Sequence, residues 1–266
     1  MRWPARRCEA MLREEQRADG VALLVLDRPA ARNALSVALL EALAEALRRA
    51  RTARCVVLAA EGPAFCAGHD LRELAAARAA ADGGRAFFAR TMALCSEVMR
   101  AIATHPVPVI AAVEGMATAA GCQLVASCDI ALASPAARFC TPGVEIGLFC
   151  STPAVALIRA VPAKAAAEML FTGRVLGAEE AQAIGLITRI LPDARAAALA
   201  MAEQIASRSA VAVRLGKQAL VAQRGLPLAD AYAIASQAMV DNLMAADAEE
   251  GIAAFLERRR PQWKDA

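Results

Sequence analysis

Two short stretches hold the groups best placed to do chemistry: Phe65-Cys-Ala-Gly-His-Asp-Leu71 and Gly115-Met-Ala-Thr-Ala-Ala-Gly-Cys-Gln123. Each follows an apolar run that reads as a buried strand, and each offers a backbone N–H beside a glycine, where no side chain blocks approach. Those N–H groups belong to His69 and Ala120. A helix opening near Ala120 adds unpaired amides with partial positive charge. Two such amides converging on one oxygen would stabilise an enolate or a tetrahedral intermediate. Three residues past Ala120, where the first helical turn aims a side chain toward the ligand, stands Gln123. A carboxylate there would be an acid/base group, whereas a carboxamide has no titratable proton.

Other reactive side chains have a chemical and a structural use to weigh. The His69 imidazole is a base near neutral pH or a space-filling group. Cys150-Ser151-Thr152 is a small polar cluster, but a cysteine nucleophile needs a base beside it and none is evident, so helix capping by Ser151 or Thr152 is the expected use. Asp70 reads as the cap of a helix from Leu71, Asp129 as a turn-fixing residue at a strand start, and His105 as a structural cap before Pro106.

The elements that must position these groups follow from periodicity. Val21 to Leu26 is a short strand. Ser36 caps a helix over 37–51, whose Leu39, Leu40, Leu43 and Leu47 share one face. Cys55 to Ala60 is a strand buried on both sides. A helix from Leu71 breaks at Ala81-Asp82-Gly83-Gly84 and resumes over 85–104. Strands over 107–113 and 129–133 and a short one at Arg138-Phe139 follow, with helices dominating from Thr152. Strands alternating with helices to about residue 190 make an α/β architecture with crossover connections. We divide the chain into a core, 1–195, and a helical region, 196–266, whose apolar stripe suits a subunit contact.

With 266 residues the chain fits one large domain or a domain plus an appendage. Thirty basic against 27 acidic residues, a net charge of +3, carry no nucleic-acid footprint. The charge-free runs 101–113 and 115–128 are shorter than the roughly 20 apolar residues of a membrane span. Eight cysteines at irregular spacing, without a Cys-x-x-Cys pair, read as buried hydrophobes of a reducing compartment. Residues 1–17 are Arg-rich but hold Glu9, Glu14 and Glu15, which reads against a transit peptide and toward a ragged terminus, so a cytoplasmic chain is expected. With only His69 and His105 no metal site is expected. Neither a Gly-x-Gly-x-x-Gly nor a Walker A run occurs, and no Ser–His pair lies in the active stretches.

In order along the chain, Arg28-Pro29, Asn33-Ala-Leu35, Phe65 to Leu71, Pro108-Val-Ile-Ala-Ala-Val-Glu-Gly115, Ala120-Gly-Cys-Gln-Leu124 and Cys128-Asp-Ile130 resemble the enoyl-CoA hydratase/isomerase (crotonase) family. Leu170-Phe-Thr-Gly173, Ala178-Glu-Glu-Ala-Gln-Ala-Ile-Gly-Leu186 and Gly251-Ile-Ala-Ala-Phe-Leu-Glu-Arg-Arg-Arg260 continue the match. Thr141 to Pro153 and Ser236-Gln-Ala-Met-Val-Asp-Asn242 look like the subgroup of enoyl-CoA hydratase domain-containing proteins.

The resemblance implies a crotonase-like spiral of ββα turns with a C-terminal helical oligomerisation region, homotrimers or dimers of trimers, and an acyl-CoA ligand with no other cofactor. It assigns the two oxyanion amides to His69 and Ala120, and coenzyme A contacts to Arg28, Ala67, Asp70, Phe255 and Arg258. An aromatic face suits adenine and a guanidinium suits phosphate; the other use of Phe255 is as core of the helical tail, and of Arg258 as a solvated charge. The family's two catalytic glutamates belong at Gln123 and Gly143, and the aspartate of other members at Ser151, so all three acid positions lack a carboxylate. Glu145, two residues past Gly143, would face the same side if the segment is extended, or is a surface carboxylate. The implied function is acyl-CoA binding with a polarised thioester, as a hydratase/isomerase-type enzyme with non-standard acid/base groups or as a catalytically silent binder.

Overall fold

The computed structural model describes residues 11–266. Ten strands and eleven α-helices occur among them, and the strands divide between two sheets. In chain order they are β1 (Leu12–Gln16), β2 (Val21–Leu26), α1 (Val37–Arg49), β3 (Cys55–Ala60), β4 (Ala64–Cys66), α2 (Leu71–Ala77) and α3 (Arg85–Ala103). There follow β5 (Val109–Val113), β6 (Met116–Thr118), α4 (Ala120–Ser127), β7 (Ile130–Ala133), β8 (Arg138–Cys140), α5 (Ser151–Ala160), α6 (Ala163–Thr172), β9 (Leu176–Gly177) and α7 (Ala178–Ala183). β10 (Arg189–Ile190), α8 (Ala194–Ala206), α9 (Ala210–Ala222), α10 (Leu228–Leu243) and α11 (Ala246–Leu256) complete the chain.

The larger sheet has the order β1-β2-β3-β5-β7-β10 and the smaller one β4-β6-β8-β9. Each of β3-β4, β5-β6 and β7-β8 sends its first strand to the large sheet and its second to the small one before turning into helix. That repeat is the expected ββα spiral. β2, β3, β5 and β7 run parallel and are almost wholly buried, which explains their unbroken apolar runs. Their inner face packs on α1, α3 and α4, through side chains including Leu39, Leu43, Val98, Ile102 and Leu124. Their other face is covered by α8, whose Ala198 and Ala202 sit against Val21, Val57 and Ile110.

Several local expectations hold. The Ser36 Oγ accepts from Leu39 N at 3.2 Å, capping α1. Residues 78–84 separate α2 from α3. Others change. Leu12–Gln16, expected as a ragged terminus, pairs antiparallel with β2; the rest of that expectation, residues 1–10, lies outside the described residues. The stretches around Phe65 and Met116, read as a loop and a turn, contain β4 and β6, three residues each. Ser151 and Thr152 do not cap α5: Cys150 holds the N-cap position and no side chain accepts there. Among the described residues no helix is long and apolar enough to cross a membrane, and no group of three His, Cys, Asp or Glu side chains gathers in metal-binding fashion.

The helical region is tied to the spiral by polar contacts at the strand starts. Lys217 on α9 is 5% exposed, and its Nζ donates to Asp129 Oδ2 at 2.6 Å and to the Val107 carbonyl at 2.8 Å. The same carboxylate oxygen accepts from Val109 N at 2.8 Å. Asp129 thus does more than fix a turn: it joins the entry of β5 to α9. His105 is likewise structural, with its ring nitrogens 3.2 and 3.0 Å from the Val107 and Leu47 carbonyls.

Candidate active site

β4 and β6 are parallel neighbours, so the segments that leave their C-terminal ends emerge side by side. The first runs through Gly68 to His69, and the second turns at Ala119 into α4. Their backbones touch. A Cβ added to Gly121 would lie 2.2 Å from the Cys66 carbonyl oxygen, a distance only glycine permits. A Cβ added to Gly68 would lie 3.5 Å from Ala120 N. The His69 and Ala120 amides are therefore neighbours, and neither donates to a backbone carbonyl among the described residues. Ala119 at the α4 N-cap takes φ +50° and ψ −117°, a strained backbone for a residue with a Cβ. It is pinned there by its N–H, which donates to the Cys140 carbonyl at 2.9 Å.

The His69 loop is braced from behind. Leu35 N donates to the Gly68 carbonyl at 2.7 Å and Asp70 N to the Leu35 carbonyl at 3.1 Å. Arg28 and Asp70, expected to meet coenzyme A, meet each other: Arg28 Nη2 lies 3.3 Å from Asp70 Oδ2, while Nη1 donates to the Ala34 carbonyl at 2.6 Å. The other Asp70 oxygen accepts from Arg72 N at 3.1 Å, capping α2 as expected. Ala67 is half-buried and donates to the Arg32 carbonyl at 3.0 Å. Asn33 is a residue whose role sequence reasoning missed. Fully buried, it donates to the Glu61 and Ala64 carbonyls and accepts from Arg28 N, each at 2.8 Å. Its place in the Asn33-Ala-Leu35 motif was the available signal; a side chain tying its own loop to the segment of Glu61 and Ala64 is visible only in the fold.

Gln123 lies at the end of the first turn of α4, 3% exposed, and its Oε1 is 4.0 Å from the Cys95 thiol of α3. Gly143 is not a vacancy waiting for a carboxylate. A Cβ there would sit 2.8 Å from the Leu148 carbonyl oxygen and 2.9 Å from Cys150 Sγ, so the neighbouring turn has closed over the position. The segment Pro142–Ile146 is a 3-10 helix rather than extended chain. The premise for Glu145 as a replacement base therefore fails: residues two apart on such a helix do not share a face, and Glu145 is exposed. Ser151 is exposed, its hydroxyl donating to the Phe149 carbonyl at 3.4 Å. Burial raises the pKa of the Cys150 and Cys140 thiols and pushes that of Cys66 up to about 12, so none is a ready nucleophile.

Both ring nitrogens of His69 are buried without a hydrogen-bond partner. Burial holds its pKa below the ordinary imidazole value, opposed by the Leu35 carbonyl, which lies near without hydrogen-bond geometry. Burial likewise lowers the pKa of His105, against the Leu47 and Val107 carbonyls. Both imidazoles therefore bind a proton less readily folded than unfolded. That sign means stability is full above about pH 6.5 and declines as pH falls below it, by at most about 1.4 kcal/mol per pH unit per histidine. Urea denaturation at pH values from about 7 to about 5.5 should show this decline. His69→Gln should reduce it to the share of His105; an unchanged slope in that variant would show that His69 does not titrate between the two states.

Phe255 is 82% exposed, not core of the tail, and Arg258 follows α11 at φ +55°. α11 packs on α9 and α10, and among the described residues no hydrogen bond or ion pair joins Phe255 or Arg258 to the two loops. Of the expected site residues, the structure thus brings together within one chain the His69 and Ala120 amides, and it pairs Arg28 with Asp70 behind the His69 loop.

The model of the enoyl-CoA hydratase/isomerase family matches residues 16–266. A mitochondrial enoyl-CoA hydratase domain-containing protein 3 of Rattus norvegicus is 50% identical over 260 residues, 96% of this chain and 85% of that protein. The crystal structure of the human enoyl-CoA hydratase domain-containing protein 3 superposes with a TM-score of 0.90 at 47% identity, covering 96% of this chain and 100% of that one. An enoyl-CoA hydratase of Mycobacterium smegmatis gives a TM-score of 0.90 at 46% identity, covering 96% and 99%. The rat, mouse and human relatives are mitochondrial proteins, which overturns the expectation of a cytoplasmic chain. Buried thiols report a reducing interior, a condition not confined to the cytoplasm. By the matched span and by the shared fold, the chain belongs to the enoyl-CoA hydratase/isomerase, or crotonase, family.

Proposed function

We propose that this protein binds acyl-CoA thioesters and polarises the thioester carbonyl between the His69 and Ala120 amides, in the manner of a hydratase/isomerase with non-standard proton chemistry. The observation that carries this reading is the contact of the two loops, with Gly68 against Ala120 N and both amides lacking backbone partners. Amides held in place before the ligand arrives stabilise a developing oxyanion without reorganising. The coenzyme A moiety is the only cofactor-like group this reading needs. The Arg28–Asp70 pair shapes the rim of that site, and Phe255 and Arg258 reach a ligand from a neighbouring copy. Assembly into trimers or pairs of trimers is supported by exposed apolar side chains on α10, α11 and the turn between them (Tyr232, Met239, Met244, Ile252, Phe255) and on the 142–171 face (Ile146, Phe149, Ile158, Phe171).

A second reading, an acyl-CoA binder without turnover, is favoured by one observation: the Gly143 position is filled by its neighbours. Isotope-edited infrared spectroscopy of a bound acyl-CoA tests the first reading directly. The thioester carbonyl stretch is expected to shift to lower frequency on binding. Binding with an unmoved stretch would sink the oxyanion role. A shifted stretch with no turnover over a thioester panel would leave the silent binder, and calorimetry showing no acyl-CoA binding would end both readings.

A further inference from the structure

β4, β6 and β8 run parallel, so their C-terminal ends, Cys66, Thr118 and Cys140, lie along one edge of the small sheet. The segments leaving the first two carry the His69 and Ala120 amides. The segment leaving the third carries Gly143. Ligands of parallel sheets gather where the strands end and the chain turns away. This third segment is fastened directly to the second. The Cys140 carbonyl accepts from Ala119 N at 2.9 Å, and Cys140 Sγ donates to Thr118 Oγ1 at 3.1 Å.

Two groups fill the side-chain space of Gly143 at this edge. The Leu148 carbonyl has no proton to give; Cys150 Sγ, 2.9 Å from where a Cβ would stand, bears one. Cys150 is 8% exposed, and its thiol is free of disulfide and of hydrogen-bond partners among the described residues. Cys122, two residues past Ala120, lies near enough to both Cys140 and Cys150 that a charge on either raises its pKa. Three thiols from α4, from the end of β8 and from the start of α5 thus crowd the place next to the amide pair, and Cys150 is the one set against Gly143. Burial raises its pKa, partly offset by the Gly143 N–H. Such a thiol is a poor nucleophile at neutral pH, but it holds a proton and is able to pass it on.

We propose that Cys150 is the catalytic residue of the acyl site, its thiol carrying one proton to and from the carbon next to the thioester carbonyl. This rests on the acyl-CoA reading above. In one direction the thiolate takes that proton: an S–H bond forms, the C–H bond breaks, and its electron pair passes to the thioester oxygen as an enolate held by the two amides. The reverse step returns a proton from sulfur to carbon, so nothing is oxidised or reduced. One group suffices for this exchange, whereas hydration needs a second group to activate water. The reaction class is then enolisation of a thioester bearing a C–H beside its carbonyl, not addition of water.

The experiment incubates the protein with hexanoyl-CoA in deuterium oxide and follows deuterium entering the acyl chain by mass spectrometry. The unsubstituted protein is expected to exchange hydrogen at that carbon. Cys150→Ala should lose at least ~100-fold of the rate, the low end of what a positioned acid/base group supplies. Cys150→Ser keeps size and polarity but carries a hydroxyl that barely ionises, so it should lose nearly as much while folding normally. Serine would rescue a merely structural thiol, and it decides the matter if the alanine variant fails to fold. Exchange undiminished in Cys150→Ala, or retained in Cys150→Ser, overturns the proposal and leaves the acyl-CoA reading standing. A loss in His69→Gln with none in Cys150→Ala assigns the proton to the imidazole and also overturns it. Bound thioester with a shifted carbonyl stretch but no exchange by the unsubstituted protein overturns it and leaves the silent binder. No binding of hexanoyl-CoA removes both readings.

Discussion

Crotonyl-CoA offered to this protein should be hydrated at least about 10²–10⁴-fold more slowly than by a family member carrying both glutamates, the range a positioned acid/base group supplies. Hydration needs one group to activate water and another to protonate the α-carbon. Gln123 is able to orient a water but has no proton to exchange, and Gly143 has no side chain. The instructive variant is Gln123→Glu with Gly143→Glu. Judged from the vacated positions alone, it should restore hydration. The structure gives the opposite expectation, because a side chain at residue 143 collides with the Leu148 carbonyl oxygen at 2.8 Å and with Cys150 Sγ at 2.9 Å. That turn is also locked by the Leu148 N–H, which donates to the Gly143 carbonyl at 2.8 Å. The double variant should therefore gain less than ~10-fold in enoyl thioester hydration, a small part of what two working groups contribute, and should lose stability. Gln123→Glu alone places a carboxyl at a 3% exposed position beside a thiol, where burial favours its neutral form. Loss of enoyl absorbance over time is the assay. Recovery of hydration to the level of glutamate-bearing relatives would show that the Gly143 turn yields easily.

Lys217→Met should destabilise the fold by about 2–3 kcal/mol. Breaking a fully buried pair costs roughly 3–5 kcal/mol by stranding the remaining charge, and Asp129, 27% exposed, recovers part of that through solvent. The loss is not confined to one pair. Lys217 also satisfies the Val107 carbonyl, so its removal loosens α9 from the start of β5. Adding Asp129→Asn to Lys217→Met should return part of the stability, since the carboxamide oxygen still accepts from Val109 N while no charge is left behind. Urea midpoints of the unsubstituted, single and double proteins measure this. A double variant less stable than Lys217→Met would refute the stranded-charge explanation.

The local signals read well wherever a run of residues reports its own surroundings. β2, β3 and β5 were visible as continuous apolar runs because both their faces are covered. α1 was visible because Leu39, Leu43 and Leu47 recur on one face behind a serine cap. β4 and β6 were missed because three residues show no periodicity, and what makes them strands is pairing with each other across 50 residues of chain. β1 was missed for a related reason: Leu12–Gln16 is an exposed edge, polar along its length, and only its pairing with β2 orders it.

The same division runs through the site. By itself the sequence determined the family, the positions of the His69 and Ala120 amides, the helix start at Ala120, and the absence of carboxylates at Gln123, Gly143 and Ser151. These are properties of short motifs, where glycine and alanine permit close approach and the residue type states the chemistry. Only the tertiary structure decided that Gly121 lies against the Cys66 carbonyl, that Arg28 is held by Asp70, and that Glu145 turns to solvent on a 3-10 helix. It alone filled the Gly143 position with Leu148 and Cys150, and it alone brought Arg100 of α3, Arg159 of α5 and Arg224, past the end of α9, to line one cavity. The physical reason is that exclusion of one side chain by another, and the summing of charges in a shared space, depend on distances between segments remote in sequence, and no local pattern encodes those distances.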